Sequence, residues 1–507
     1  MKARMLCVFF MSVVAVGLGV SAAEPSVTVY NQNFAVVRET IQLDLKKGLN
    51  QIAFNEITVH LEPDSVMLRD PSGKRRLEII EQNYRNDPIS QGLLMSLNEG
   101  KTIEFLMPRR DVDEVRQGKI IRSGYEPHWS SMSRYGQQYQ QMQMVHAQGG
   151  GGDPVIEIDG KIRFGMPGTP LFPSVGDDTI MKPTLNWVLD SESAGPLAAE
   201  LGYVTGGMSW QASYNFVAPE KDSTLDLVAW VTVDNQCGRT FDNARLKLMA
   251  GDVSKLVPSG GYGGGGYEAP MVGARLGMGG GPAMSEKPFD EYHLYTVERP
   301  TTLRDRETKQ IEMIRAEGVK SERFYVYDGA RLDQYQQQNY DTSQLMQQQE
   351  YGTQSRTDVW VMREIKNTKE NRLGVPLPAG RTRFYQRDKD GQLEFTGENQ
   401  IKHTPRDETF RVYTGTAFDL VGERKRTEFK CDYNAHKVDE SFEISLRNRK
   451  EEMAEIRIVE HLYRGLNWEI TQSSEPHNKM DSQIMEFRVQ LKPGEEKVIT
   501  YSVHYTW

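Results

Sequence analysis

Histidine and cysteine are the residue types best suited to metal or redox chemistry, and this chain has nine histidines and three cysteines. A zinc site needs His, Cys or carboxylate ligands at close, geometry-setting spacings. No two histidines lie at helical ligand spacing, and no Cys-x-x-Cys pair occurs. Distant histidines can still converge in a folded chain, but scattered structural histidines are the stronger interpretation. We predict no metal site and no cofactor.

The next candidate is a serine nucleophile at Ser209. The segment Gly207–Gln211 begins like the Gly-x-Ser-x-Gly elbow but lacks its last glycine, and strand-like sequence surrounds it. The glycine run 263–266 lacks the Gly-Lys-Ser/Thr that binds phosphate. The 70 acidic residues allow many carboxylate pairs for glycosidase chemistry, and nothing selects one of them. We therefore predict no catalytic residues.

The first 23 residues have the organisation of an export signal. Lys2 and Arg4 precede an apolar run from Met5 to Val20, and residues 21–23 supply the small side chains of a cleavage site. The run is shorter than the roughly 20 residues that a membrane-spanning helix needs, and no later stretch is apolar for long enough. We predict export to the periplasm or the exterior with cleavage after Ala23. A retained N-terminal anchor is the alternative.

Export bears on the cysteines, because exported proteins meet oxidising conditions in which disulfides persist. Cys7 lies in the predicted signal without a lipobox before it. Cys237 and Cys431 remain, and a bond between them requires Cα atoms within about 7 Å. A disulfide and two separate buried thiols both stay open.

The charge balance argues against nucleic acid as a partner. The formal net charge is −9, and losing Lys2 and Arg4 with the signal changes it to −11. No basic stripe occurs. The short basic runs 74–76 and 424–426 are interpreted as solvated strand edges or turns.

Alternation of apolar and polar residues with a period of two predicts strands almost throughout. One helix is predicted between the caps offered by residues 87–90 and Gly100, with Leu93, Leu94 and Leu97 on one face. The clearest early strands are Val27–Tyr30, Glu39–Leu45, Leu49–Phe54 and Thr102–Leu106.

Three low-complexity segments interrupt this β pattern. They are rich in Gln, Met and Gly (124–154), in Gly (258–288), and in Gln and Tyr (328–357). Each lacks the aliphatic residues of a core and is predicted to be a mobile loop within a domain.

The C-terminal residues 428–507 alternate most cleanly. Met485, Phe487, Val489 and Leu491 are apolar in turn, and a last alternating strand ends at Trp507. Short strands at regular spacing predict an immunoglobulin-like sandwich. A last strand with a terminal aromatic is also typical of an outer-membrane β-barrel, which we keep as an alternative.

We therefore predict an all-β, multidomain protein of β-sandwich or β-barrel-like modules with long low-complexity loops. The predicted parts are a signal peptide (1–23), an N-terminal β-rich domain (24–182), a central β-rich domain (183–427) and the C-terminal sandwich (428–507).

Several segments resemble the mucoidy-inhibitor-A-like family, catalogued as domain of unknown function 4139. The resemblance covers roughly Leu185 to Trp507, and the coiled coil often found in that family is absent here. It implies no catalytic residues. Its aromatic residues Tyr203, Trp210 and Tyr214 are interpreted as fillers between sheets, with a carbohydrate-stacking platform at Trp210 or Tyr214 as the weaker alternative. The segments that carry the resemblance are 185–189, 201–214, 229–235, 238, 241–244, 376–380, 395–398 and 415–419.

These observations predict an exported, non-catalytic protein of the cell envelope that binds or scaffolds. Its expected partner is an envelope protein or a glycan. The alternatives are a carbohydrate-active or peptide hydrolase of the envelope and an outer-membrane barrel.

Overall fold

The structure is a computed structural model that describes residues 24–86, 89–108, 113–125, 153–173, 181–219, 224–251, 253–255, 284–289, 292–332 and 342–507. The predicted signal (1–23) lies outside the described residues. So do most of the Gln/Met/Gly-rich and Gly-rich segments and residues 333–341 of the Gln/Tyr-rich segment.

Strands dominate the described residues, which confirms the all-β prediction. The first twelve strands are β1 (Ser26–Tyr30), β2 (Phe34–Leu45), β3 (Gly48–Phe54), β4 (Met67–Arg69), β5 (Leu77–Arg85), β6 (Thr102–Met107), β7 (Glu114–Arg122), β8 (Val155–Ile158), β9 (Lys161–Phe164), β10 (Thr169–Leu171), β11 (Thr184–Ser191) and β12 (Gly195–Gly206). Helix α1 (Gln91–Leu97) lies between β5 and β6, and a 3₁₀ turn covers Pro63–Ser65.

The remaining strands are β13 (Met208–Ala218), β14 (Thr224–Asn235), β15 (Phe241–Ala250), β16 (Met284–Phe289), β17 (Tyr292–Val297), β18 (Thr301–Leu303), β19 (Glu307–Tyr327), β20 (Asp358–Lys366), β21 (Gly380–Arg387), β22 (Leu393–Ile401), β23 (Thr409–Asp432), β24 (Lys437–Asn448), β25 (Ala454–His461), β26 (Trp468–Ser473), β27 (His477–Lys479), β28 (Ile484–Leu491) and β29 (Glu496–Thr506). A second helix, α2 (Thr342–Gln347), lies between β19 and β20.

The chain divides into two compact units. Unit 1 comprises Met1–Ser209, Asp234–Met278 and Arg299–Thr308; unit 2 comprises Trp210–Val233, Gly279–Glu298 and Lys309–Trp507. The domain bounds given by the sequence stay predictions.

Unit 1 contains a sheet with the strand order β15-β1-β2-β12-β4 and a three-stranded sheet β3-β11-β5. The predicted alternation is observed directly: Ile41, Leu43 and Leu45 of β2 are buried, while Gln42 and Asp44 between them are exposed. The predicted early strands are confirmed by β1, β2, β3 and β6.

A five-stranded sheet, β10-β6-β7-β8-β9, forms a smaller core of its own in unit 1. One face packs Ile103, Phe105, Ile120 and Ile156 against Met95 of α1. The predicted helix is confirmed, and the Ser90 side chain caps it by accepting a hydrogen bond from the Leu93 N–H. Met95 is the buried residue of this helix, and Leu97 is exposed.

Unit 2 is organised around a branched thirteen-stranded sheet. Its path runs β22-β21-β13-β14-β19-β20-β23-β24-β29-β26, while β25 joins β19 to β28 and β28 carries β27. The apolar side chains of the last strand, Ile499, Tyr501, Val503 and Tyr505, are all buried in the main core cluster of this unit.

The Gln/Tyr-rich segment departs from the prediction of a mobile loop. Residues 342–347 form α2, and Leu345, Met346 and Tyr351 are buried in the core cluster of unit 2. The composition of this segment does not predict its burial. Few aliphatic residues are enough to bury it because polar side chains hold its backbone in place, as described below. The described part of this segment therefore contributes three side chains to the core.

Three buried asparagines at or just after strand ends share one hydrogen-bonding arrangement. The amide of Asn235 donates to Arg239 O and to the consecutive carbonyls of Leu303 and Arg304, while its Oδ1 accepts from the Cys237 N–H. Asn448 donates to Glu452 O and to the consecutive carbonyls of residues 491 and 492, and accepts from the Lys450 N–H.

Asn367 repeats the arrangement with Val375 O and the consecutive carbonyls of Thr404 and Pro405. Two residues after each carbonyl pair the backbone turns left-handed, at Arg306, Asp407 and Gly494. A glutamate follows each of these turn residues, at positions 307, 408 and 495. We call each arrangement an asparagine clamp; it joins a strand end to a turn that is remote in the sequence.

No helix among the described residues is both long and apolar enough to cross a membrane.

The asparagine clamps predict a measurable stability loss. Replacing Asn448 with Ala leaves three carbonyls and one N–H without their side-chain partner, which costs about 1–3 kcal/mol when such groups are buried. Urea unfolding followed by circular dichroism should show this loss for Asn448→Ala. The exposed Asn478→Ala variant should stay within about 0.5 kcal/mol of the parent. Equal stability of the two variants would contradict the role of the clamp.

Candidate functional site

The most buried charges of unit 2 form a network between β23, β24 and β25. The Arg424 Nε donates to both carboxylate oxygens of Glu460 at 3.0 and 2.9 Å. The two side chains are 1% and 0% exposed. Tyr501 of β29 also donates to Glu460, and the Arg424 guanidinium lies 4.0 Å from the centroid of the Phe442 ring. Burial alone lowers the pKa of Arg424, but Glu460, together with Tyr501 and Tyr463, more than offsets this and holds the pKa well above its usual value.

A second buried pair lies in the same network. Arg464, just after β25, donates to Glu440 of β24 at 2.9 Å, and both side chains are fully buried. Arg426 and the Tyr463 hydroxyl donate to the same carboxylate. Every charge of this buried ion-pair network thus faces a charge of opposite sign, which is the condition under which buried ions are tolerated.

The network also binds backbone carbonyls of the segment that follows α2. Arg464 donates to Leu345 O at 2.5 Å, to Gln348 O at 3.0 Å and to Tyr351 O at 3.2 Å. The last carbonyls of a helix have no partner within the helix, so the arginine caps the C-terminal end of α2. Arg424 donates to Gly352 O at 2.8 Å. The two arginines therefore hold residues 345–352 onto the core.

Gly352 is required at this point for two reasons. Its φ of +78° favours glycine, and a Cβ there would lie 2.2 Å from the Tyr463 ring. The backbone at residue 352 therefore lies directly against the Tyr463 ring, with no room for a side chain between them.

The interpretation of residues 424–426 as a solvated edge is wrong for two of the three. Arg424 is buried and Arg426 largely so, whereas Lys425 is exposed. The partners Glu440 and Glu460 lie on other strands, so no local spacing reveals the pairs. The other basic run is solvated as predicted: the Arg76 side chain is 74% exposed beside Glu78.

One histidine has a carboxylate partner at the edge of this network. His461 Nε2 lies 3.1 Å from an Asp328 carboxylate oxygen. The hydrogen bond to Asp328 raises the pKa of His461 above its ordinary value of 6.5, although burial opposes it; Glu460 raises it further and Arg424 lowers it. The remaining described histidines do not join it in a metal site, since no group of three or more potential ligands occurs in the described ranges.

The stacking platform suggested for Trp210 or Tyr214 is contradicted by burial. Trp210 is 4% exposed and Tyr214 is 0% exposed, so neither ring face is open to a sugar. The rings of Trp210 and Tyr295 pack edge to face, and the hydroxyls of Tyr214 and Tyr295 donate to Pro378 O and Pro376 O. The two tyrosines thus bind the Pro-Leu-Pro segment 376–378, which agrees with the interpretation of these aromatics as fillers.

Tyr203 is also structural. It accepts a hydrogen bond from Arg239, which forms a two-point ion pair with Glu39 at 2.6 and 2.7 Å. Gly207 lies between β12 and β13 with φ of +77°, and Ser209 lies near the start of β13. Cys237 and Cys431 are free thiols, the first buried and the second exposed. Burial raises the pKa of the Cys237 thiol to about 12, so it is protonated and unreactive at neutral pH.

A shallow polar cleft in unit 1 is lined by Arg76, Glu78, Asp190 and Glu192. Arg76 and Glu78 pair with each other there, and Asp190 and Glu192 complete the lining.

The second face of the five-stranded sheet is the most distinctive surface of unit 1. We call it the outer face. Val115, Ile121, Ile162, Phe164 and Leu171 lie on it, and 50%, 42%, 65%, 70% and 40% of each residue is exposed. The register sets Leu106 opposite Val115, Glu104 opposite Leu171, Lys119 opposite Glu157, and Glu157 opposite Ile162, while Ile121 lies at a register shift between β7 and β8. Apolar side chains grouped on one exposed face are typical of an interaction surface.

The outer face and the core face differ although they belong to the same strands. The core face is closed by α1, and Gly118 of β7 leaves room for the Phe105 ring, which a Cβ would meet at 2.8 Å. On the outer face, apolar residues alternate along and across the strands with Glu104, Lys119 and Glu157. Such a mixed surface can hold a partner through apolar contact and fix its register through charge.

Comparison with known families now adds to this geometry. Residues 199–507 match the family described as Domain of unknown function (DUF4139). The chain belongs to this family. The match confirms the resemblance found in the sequence, and it covers the buried ion-pair network as well as Trp210 and Tyr214. The outer face precedes the matched residues. No protein among the curated ones matches the chain.

The ion-pair network of this DUF4139 member predicts an asymmetric mutational response. Arg424→Met leaves the Glu460 carboxylate buried without its cation, which costs about 3–5 kcal/mol. Adding Glu460→Gln removes the stranded charge, so the double variant should be more stable than Arg424→Met alone. Arg69→Met breaks an exposed pair with Glu200 and should cost less than about 1 kcal/mol. Guanidinium unfolding measures all three, and an equal loss for Arg69→Met and Arg424→Met would contradict the assignment.

The His461–Asp328 pair predicts a pH dependence of stability. Because the folded state raises the pKa of His461 above 6.5, its contribution is complete below pH 6.5 and is lost as the pH rises through the folded value. The unfolding free energy of the parent should therefore fall over this window. His461→Gln and Asp328→Asn should each reduce this decrease of the unfolding free energy with pH. A parent-like pH profile in both variants would refute the pair's contribution.

Proposed function

We propose that this protein is exported and acts in the cell envelope by binding or scaffolding, without catalysing a reaction. The outer face of the five-stranded sheet carries the proposal. Five large apolar side chains are exposed there, interspersed with charged residues, and the two most exposed of them, Ile162 and Phe164, belong to the edge strand β9. Exposed apolar groups cost free energy in water, and a binding partner would remove that cost.

The organisation of residues 1–23 supports export, to the periplasm or the exterior. The same proposal places the partner in the envelope, as a protein or a glycan. A polypeptide fits the outer face better than a glycan does, because aliphatic residues rather than exposed flat aromatic rings make up most of its apolar area.

The architecture suits a scaffold as well. We propose that residues 428–507 form an immunoglobulin-like sandwich, with β24, β29 and β26 in one layer and β25, β28 and β27 in the other. Its support is the shared core, in which Phe487 of β28 lies 5.8 Å from Tyr501 of β29, ring centre to ring centre. The ion-pair network strengthens this core by holding residues 345–352 against it.

The buried charges also favour binding over catalysis as the proposed role. The arginines and carboxylates with the strongest mutual interactions point at each other and at backbone carbonyls. These charged groups therefore hold the chain together, and we assign the contact with another molecule to the exposed outer face.

The test is an in-cell crosslinking experiment on a tagged copy. We expect mass spectrometry of the envelope fraction to find the chain without residues 1–23, joined to a discrete adduct. Ile162→Ser combined with Phe164→Ser should abolish that adduct without unfolding the protein, since both side chains are mostly exposed.

The control is Leu393→Ser combined with Phe395→Ser, which removes two exposed apolar residues from β22 in unit 2. It should keep the adduct. Retention of the uncut chain in the cytoplasm would contradict export. An adduct that survives the β9 variant, or that both variants lose equally, would contradict binding by the outer face.

A further inference from the structure

No strand among the described residues pairs with the outer edge of β9. Within the described residues β9 pairs only with β8, and it ends the five-stranded sheet. Asp159 and Gly160, with φ of 51° and 71°, form the two-residue turn of this hairpin. The Gly165 N–H donates back to Pro154 O at 2.8 Å.

These contacts fix which backbone groups face outwards. Hydrogen-bonded and non-hydrogen-bonded pairs alternate along an antiparallel ladder. Because Gly165 is bonded to the β8 side, Arg163 and Lys161 are bonded to it too. The N–H and C=O groups of Ile162 and Phe164 therefore point away from the sheet, where an added strand would meet them.

The side chains of β9 divide by charge. Ile162 and Phe164 lie on the outer face, while Lys161 and Arg163 lie on the opposite face and are exposed. Neither cation forms an ion pair or a hydrogen bond with another described side chain. An incoming strand would therefore meet two apolar residues on one face and two unpaired positive charges on the other.

The geometry points to β9 as the docking edge for an extended polypeptide segment of a partner, in which acidic and apolar residues alternate. The segment adds a sixth strand beside β9, with its apolar residues next to Ile162 and Phe164 and its carboxylates next to Lys161 and Arg163. This inference rests on the proposed binding function and names the partner's chemistry.

Charge complementarity excludes a second copy of β9 as the occupant. Residues opposite each other across a ladder share a face. Any pairing of two β9 strands that joins their apolar faces therefore sets Lys161 and Arg163 against the same cations of the other copy. Like charges directly opposite destabilise a strand pair, so the charges that discourage self-association favour an acidic partner.

The test uses two probe peptides, both N-acetylated and C-amidated. One alternates glutamate with valine and the other alternates lysine with valine. Fluorescence anisotropy with the full mature chain should show binding of the Glu-Val peptide only. Lys161→Glu combined with Arg163→Glu should weaken it by about tenfold or more, as expected when two cross-strand pairs change sign, and the Lys-Val peptide should now bind.

A second variant separates backbone pairing from charge attraction. Ile162→Pro removes an N–H that points outwards, and proline is tolerated at such edge positions. It should abolish binding of the Glu-Val peptide while circular dichroism stays unchanged. Lys46→Glu combined with Lys47→Glu changes net charge equally at an exposed turn and should leave binding intact.

Three results would overturn the inference. The first is an equal loss of Glu-Val peptide binding in the Lys46/Lys47 control and in the β9 charge variant. The second is a charge variant that does not bind the Lys-Val peptide in place of the Glu-Val peptide. The third is a parent protein that does not bind the Glu-Val peptide. If the envelope adduct still depends on Ile162 and Phe164 in those cases, the proposed binding function stands and strand addition alone fails.

Discussion

Pairing of buried charges is the constraint on which unit 2 depends. Taking Arg424, Glu460, Arg464 and Glu440 out of water costs more than any single apolar contact returns. The cost is offset only because each arginine meets a carboxylate and also the carbonyls of residues 345–352. The hydrogen bonds that compensate the buried charges therefore also fix residues 345–352, a polar segment with few apolar side chains of its own to pack into the core.

The strands could be predicted from the sequence, because apolar and polar residues alternate with a period of two along a half-buried strand. The strand β28 and the last strand β29 are of this kind. The burial of Arg424 could not be predicted, because β23 carries charges on both faces and its alternation is hidden. The partner carboxylate lies 36 residues away, and only the fold brings it close.

Other features are visible in the sequence but are not detected by the alternation of apolar and polar residues along one strand. The three clamp asparagines each pair with a turn in which a glutamate follows four residues after the first bonded carbonyl, at positions 307, 408 and 495. A search for internal repeats would find this spacing. The outer face had a weaker signal, since the apolar residues of β7 and β9 alternate as in any strand. Which face α1 covers is decided only by packing.

The asparagine clamps have a consequence for how this chain tolerates change. The partners of Asn235, Asn367 and Asn448 are 68, 37 and 43 residues away, yet the joint is the same in all three. The entropic cost of closing a loop rises by only about 0.6 kcal/mol for each doubling of its length. The surface loops between a clamp and its turn can therefore lengthen at little cost, provided that the intervening strands keep their core contacts. A β protein can in this way acquire new surface loops while its asparagine clamps stay unchanged.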